Sequence, residues 1–277
     1  MGTFSQDLRY ALRNLTKSPM FTAVALLSLA LGIGANTAIF SLMNQVLLRL
    51  LPVREPERLV LVQKQGSEMG MVRGPDTLSY PMYRDLRDRT TVFDGLLAYA
   101  PFDLSMSYKG QTERITGDLV SGNYFDVLGT DAAIGRTLTA DDEVKPGGHP
   151  VAVLSYGFWT RRFARDPRIV DQAVLVNGTP LTVVGVTKRG FTSAEANRTP
   201  DIFVSVAMKK QMTPTWDDLQ NRRAMWLNVM GRLKPGVKAT QAQAALNTEY
   251  AALVQEEVKE LPAGMSEYGR QRFLKKP

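Results

Sequence analysis

The sequence predicts an α+β domain standing behind one N-terminal transmembrane helix. Three observations carry that prediction. Residues 18–48 contain no charged side chain. Beyond Pro52, short apolar runs of strand type alternate with capped helical segments. Two of those runs flank Asn177-Gly178, a dipeptide suited to the left-handed backbone of a two-residue hairpin turn.

Composition narrows the function. The net charge is +7, of which the first 51 residues carry +3 and the other 226 carry +4. No element concentrates basic charge as a nucleic-acid surface does, so no nucleic-acid partner is expected. The chain has no cysteine, which excludes a disulfide framework, a thiolate metal site and a cysteine nucleophile. Its single histidine, His149, lies in the turn-rich run Gly147-Gly148-His149-Pro150 and is expected to be exposed.

Residues 1–18 read as a cytoplasmic amphipathic segment. Phe4, Leu8, Leu12 and Leu15 recur at helical spacing, with Arg9, Arg13 and Lys17 elsewhere on the turn, a pattern suited to the inner membrane surface. Residues 19–51 form the expected span. A crossing needs about 20 apolar residues, and Pro52 stops the helix for want of an N–H. Ala35 and Ala38 resemble signal-peptide cleavage residues, but a signal h-region is only about 7–15 residues long. Arg9, Arg13 and Lys17 favour an N-terminus held in the cytoplasm; Arg49, Arg54 and Arg58 on the far side moderate that signal. Ala30, Gly34 and Ala38 repeat every four residues beside Asn36, which predicts close packing against another membrane helix. Leu29–Ala38 imitates a glycine-rich dinucleotide loop. It fails as one, because Thr37 replaces the third small residue and no acidic residue ends the next apolar run.

The domain then takes residues 52–277. Leu59–Val62 is an apolar strand. Ser79 caps a helix through Tyr83, Leu86 and Arg87, with Pro81 in its first turn. Leu104–Tyr108 and Thr112–Leu119 flank Lys109-Gly110 as a hairpin. Asn123–Leu128 is a helical turn closed by Gly129. Val151–Leu154 is a buried strand, and Ser155 caps a helix through Phe163. Val174–Val176 and Leu181–Val186 form the Asn-Gly hairpin. Asp201–Val206 and Trp226–Leu233 are further strands, the second closed by Pro235-Gly236. The last helix has Leu246, Tyr250, Leu253, Val254, Val258 and Leu261 on one face, with Pro262 and Gly264 ending it. Two lobes are expected, with the domain incomplete at its C-terminal end.

Candidate chemistry is sparse. Asp141-Asp142-Glu143 is the densest acidic cluster, but consecutive carboxylates lack the alternating spacing of a calcium loop, so a solvated loop is expected. Arg161, Arg165 and Arg168 accompany Phe158, Trp159 and Phe163, read as an amphipathic helix with its aromatics in the core. There is no P-loop and no G-x-S-x-G elbow. No catalytic residue, cofactor site or metal site is expected, and the chain reads as a non-enzyme.

These residues carry a family resemblance. Asp7–Arg13, followed by LALGIGANTAIFSLMNQVLL, resembles the N-terminus of MacB/FtsX-like ABC transporter permeases, most closely the duplicated orphan permeases. Val120–Asp142, Val151–Pro167, Val176–Phe191 and Gly231–Asn247 resemble segments of their MacB-like periplasmic core domain. Asp201–Val206 departs from the usual pattern, as does Lys238, where Ser or Thr is common. Family members continue into more of the core domain and three further membrane helices, so the chain reads as an N-terminal fragment.

The resemblance implies a bacterial inner-membrane protein with its main domain periplasmic. It implies as partners the lipid bilayer, further permease helices or a second permease copy, and a separate cytoplasmic ABC ATPase. The expected function is a permease-type subunit coupling a membrane helix to an outer domain for efflux or mechanotransmission. The alternative is a single-span anchored binding or sensor module without transport. An anchored extracytoplasmic enzyme is the weakest reading, because no reactive constellation appears.

Overall fold

The computed structural model describes residues 19–20, 22–24, 27–28, 30–31, 33, 52–63, 71–72, 77–195 and 198–259. The chain divides into two compact units, residues 1–50 and 51–277. In the first, every described residue is helical. Met20, Val24, Leu27, Leu31 and Ile33 are exposed there. No helix among the described residues is long and apolar enough to cross a membrane. Most of the expected span over 19–51, and all of residues 1–18, lie outside the described residues.

The second unit is built on a nine-stranded mixed sheet. Its strands are β1 (Leu59–Val62), β3 (Phe93–Tyr108), β4 (Gln111–Val120), β5 (Ala132–Gly135), β6 (Val151–Leu154), β7 (Ala173–Val176), β8 (Thr179–Thr187), β9 (Ile202–Ser205) and β11 (Asn228–Leu233). The order is β1-β11-β3-β4-β9-β6-β8-β5, and β7 pairs both β3 and β8. Strands β3, β4, β9, β6, β8 and β7 therefore close into a ring, while β11 and β1 extend the sheet beyond it. A separate two-stranded pair joins β2 (Met71–Val72) to β10 (Ala224–Met225). The helices are α1 (Tyr80–Arg89), α2 (Tyr124–Leu128), α3 (Tyr156–Phe163), α4 (Lys209–Met212) and α5 (Ala239–Lys259).

Strand β3 replaces the expected two lobes with one body. Its first half pairs β11 and its second half pairs β4 and β7, so no boundary separates the ring from the extension. Its side chains alternate between two cores. Leu96, Ala98, Phe102, Leu104 and Met106 join one cluster with Tyr83, Leu86 and Leu253 from α1 and α5. Leu97 and Tyr99 join the other with Tyr124, Phe125 and Leu128 from α2.

Local chemistry explains the element ends. The Ser79 and Ser155 hydroxyls accept the N–H groups of Met82 and Phe158, capping α1 and α3. Lys109-Gly110 and Asn177-Gly178 both take left-handed φ, at 48° and 78° and at 47° and 78°, and turn their hairpins. Gly129 closes α2 at φ 67°. At Lys238 the backbone N–H donates to Gln241 Oε1 at 2.8 Å, half of a capping box whose side-chain oxygen is missing.

Three expectations need correction. The strand expected over Trp226–Leu233 begins at Asn228, because the N–H groups of Trp226 and Leu227 both donate to Leu78 O and interrupt the ladder. The strand expected over Asp201–Val206 shortens to Ile202–Ser205, where the Ser205 hydroxyl accepts from Ala207 N and starts a 3-10 turn. The strand expected over Leu104–Tyr108 begins at Phe93, because β11 supplies partners from Phe93 to Tyr99. Leu261, Pro262 and Gly264 lie outside the described residues.

Candidate functional site

The segment that follows the expected span is fastened to the sheet at several points. Arg54 N donates to Leu128 O at 3.0 Å. Glu55 takes a left-handed φ of 41° and leads into the 3-10 turn Pro56–Arg58. The Arg58 guanidinium donates to Leu233 O, with Nε at 2.8 Å, and pairs with Glu55 and Asp94. Strand β1 then runs antiparallel to β11, with Leu59 opposite Arg232 and Val62 opposite Val229.

Arg232 is the centre of this junction. Its side chain is 1% exposed. Nε donates to Val127 O at 2.7 Å and Nη1 to Glu55 O at 3.0 Å, so one guanidinium ties the entering chain to the end of α2. Burial, with the nearby charges of Arg54 and Arg58, holds its pKa below the usual arginine range. Nη2 has no hydrogen-bond partner among the described residues. These contacts join residues 52–62 to α2, β3 and β11.

Of the residues expected to pack in the membrane, Ala30 is helical and exposed. Gly34, Asn36 and Ala38 lie outside the described residues.

The acidic cluster is not the solvated loop expected. Asp142 is 3% and Glu143 8% exposed. Asp142 accepts two bonds from Arg136, at 2.7 and 3.0 Å, and one from Thr139 N at 2.9 Å, a capping box on the 3-10 turn Ala140–Glu143. Burial pushes its carboxyl up, but Arg136 and Thr139 outweigh it and hold the pKa below the usual range. Glu143 accepts from the Tyr80 hydroxyl at 2.9 Å and from Gly122 N at 2.6 Å. Among the described residues no group of three or more His, Asp or Glu could hold a metal ion.

The arginine-aromatic segment packs as expected at its aromatics, with Phe158 and Trp159 buried. Arg161 pairs with Asp201 at 2.9 Å. Arg165 and Arg168 lie beyond the helix, which ends at Phe163, and Arg168 pairs with Asp166 at 2.8 Å. His149 is exposed.

Three buried charges escaped the sequence reading: Arg232, Lys209 and Asp118. Lys209 is fully buried, with Nζ 3.9 Å from the Trp216 ring centre and close to Trp226 and Phe102. The only signal in the sequence was a charge within an otherwise apolar run. A groove of roughly 610 Å³ lies between β1 and α5, lined by Leu61, Leu78, Phe93, Leu246, Tyr250 and Val254, with no charged side chain among the described lining residues.

A family model described as the MacB-like periplasmic core domain matches residues 22–249. The chain belongs to that family. Its fold is similar to that of the extracellular domain of the noncanonic ABC-type transporter YknZ from Gram-positive bacteria. The TM-score is 0.52 at 19% identity, over 72% of this chain and 94% of that one. It is also similar to the periplasmic region of MacB from Actinobacillus actinomycetemcomitans. There the TM-score is 0.52 at 15% identity, over 70% of this chain and 83% of that one. No curated protein matches the chain. The MacB-like core is the extracytoplasmic domain of an ABC transporter permease family, and that family is a transporter component rather than a typical enzyme.

Proposed function

We propose that this chain acts as a permease-type subunit of a MacB/FtsX-like ABC transporter in which a membrane helix over residues 19–51 moves the core domain outside the cytoplasmic membrane. Residues 1–18 lie along the inner surface. Ala30, Gly34, Asn36 and Ala38 pack against further permease helices or a second copy, and a separate cytoplasmic ATPase supplies the drive. The observation that carries this reading is the junction. Arg54, Arg58 and Arg232 fasten residues 52–62 to α2, β3 and β11, so a displacement arriving at Pro52 is passed to the sheet rather than absorbed by a slack linker.

A flexible Gly/Ser insertion after Pro52 tests the coupling. The domain is expected to keep its melting temperature while the assembled transporter loses activity. Unchanged activity overturns the reading. Orientation is tested separately, because the chain has no native cysteine. Gln111→Cys is expected to react with a membrane-impermeant thiol reagent on intact cells, and Ser5→Cys only after lysis.

A further inference from the structure

Strand β1 stands at one end of the sheet order. One of its edges pairs β11 over four residues, and among the described residues no strand pairs the other. A bare edge presents a row of N–H and C=O groups that a further strand can take up. This edge does not simply face solvent. Helix α5 forms an opposite wall, and the groove of roughly 610 Å³ lies between the two.

Both walls are held in place. Strand β1 is bonded to β11, and the chain just before it is fixed by the Arg58 and Arg232 contacts. Helix α5 is anchored by Ala242, Leu253 and Val254, all buried. Near its end, Arg89 donates twice to Glu256, at 3.0 and 2.9 Å. Arg222 reaches Glu257 at 2.9 Å and Asp85 of α1 at 2.6 Å. The groove is therefore built by the fold before anything enters it.

The lining defines what fits. Val60, Leu246, Tyr250 and Val254 supply apolar surface. Leu61, which also lines the groove, is left 47% exposed. Gln63, Gln243, Asn247 and Gln255 supply carboxamides, and no described lining residue is charged. A charged occupant would give up its water here with no counter-charge to receive it. A carboxamide both donates and accepts, as a peptide backbone does. An acyl chain would suit the apolar walls but would leave the edge of β1 unpaired. The match is to a neutral peptide.

We propose that this groove takes an extended, uncharged segment of a partner protein, which adds to the free edge of β1 as a further strand and sets alternate apolar side chains against α5. In strand addition the main chain gives affinity, and pockets for alternate side chains give specificity. The four residues of β1 offer about 13 Å of edge, at about 3.3 Å per residue. Because side chains alternate along a strand, every second residue of the partner meets Leu246 and Tyr250 while the others point away.

The test is fluorescence anisotropy with the full chain in lipid nanodiscs. The probe is a labelled, capped heptapeptide of alternating Thr and Val, and it is expected to bind. Two methylated forms ask whether its main chain is engaged. One is N-methylated at the Val amides and the other at the Thr amides, which lie on opposite edges of the strand. One form is expected to lose roughly tenfold or more in affinity, the loss of one or two hydrogen bonds, and the other to bind like the parent. Replacing the central Val by Asp is expected to abolish binding. Ala251→Trp, at an exposed position on the groove wall, is expected to weaken binding roughly tenfold with Tm unchanged. Failure of the peptide to bind overturns the proposal. Equal effects of the two methylations also overturn it, since the groove then takes any apolar chain, an acyl chain among them. So does a dimer in sedimentation that Ala251→Trp dissociates, because a second copy is then the occupant. The methylation comparison uses the wild-type protein, so it decides the matter whether or not the variant folds.

Discussion

Arg232→Met puts the junction to its hardest test. Methionine keeps most of the side-chain length and fills the site without a cavity. The change leaves Val127 O without the donor that now reaches it at 2.7 Å, while Glu55 O loses Nη1 at 3.0 Å but keeps the Arg58 N–H. The carbonyl left unpaired costs about 1–3 kcal/mol, and the lost bond at Glu55 O about 1 kcal/mol more. The offset is real: the guanidinium is crowded by Arg54 and Arg58 and has one unpaired nitrogen, so its removal relieves on the order of 1–3 kcal/mol. The net expectation is a loss of about 1 kcal/mol, or roughly 2–4 °C in Tm for a domain of this size. Thermal melts of the full chain in detergent measure it, with buried Trp226 as the reporter. Hydrogen exchange at Arg54, whose N–H donates to Leu128 O, should accelerate more than exchange in the ring. Arg232→Lys is expected to fail in the same way, since an ammonium cannot reproduce the fork that reaches both carbonyls. A Tm unchanged in both variants, with Arg54 exchange unaltered, refutes the view that this side chain fastens the junction.

Two further outcomes follow from the packing. Gly185→Ala places a Cβ 2.2 Å from Arg136 O, a backbone atom that cannot swing away, and should cost more than about 3 kcal/mol in denaturant unfolding; a loss below 1 kcal/mol would mean that β5 and β8 separate easily. Asp142→Asn should cost about 1–2 kcal/mol near neutral pH through the lost bonds to Arg136 and Thr139. Because the folded carboxyl titrates below its unfolded value, the wild-type advantage is full above about pH 4 and disappears as pH falls through the folded pKa. Stability curves that stay parallel into acid would contradict that assignment.

Asp118 and Asp142 illustrate what neighbours decide. Both are buried aspartates, yet their pH responses have opposite sign. Asp142 receives a bidentate arginine and a backbone N–H, enough to outweigh desolvation. Asp118 receives one bond from a half-saturated arginine, and desolvation wins. Neither set of partners is adjacent in sequence for Asp118: Arg198 is 80 positions away. For Asp142 the capping box with Thr139 was readable three residues upstream, but an acidic triplet looks solvated until its arginine is seen.

What the sequence determined by itself is local. Ser79, Ser155, Gly129, Lys109-Gly110 and Asn177-Gly178 act through bonds and φ angles within a few residues, so caps and hairpins fell where the residue types put them. The family was readable for the same reason, because its segments are short contiguous runs. Tertiary structure decided the rest. Strand β3 runs on through Gly95 and Pro101 because β11 and β4 supply partners from more than a hundred and from about twenty positions away, with Asp94 taken up in a bulge. The ring closes through a pairing of β7 with β3 that no local signal announces. Arg232 is written in a strand like any exposed charge; only the arrival of Val127 and Glu55 over it, from 105 and 177 positions earlier in the chain, turns it into the point where the domain grips its own beginning.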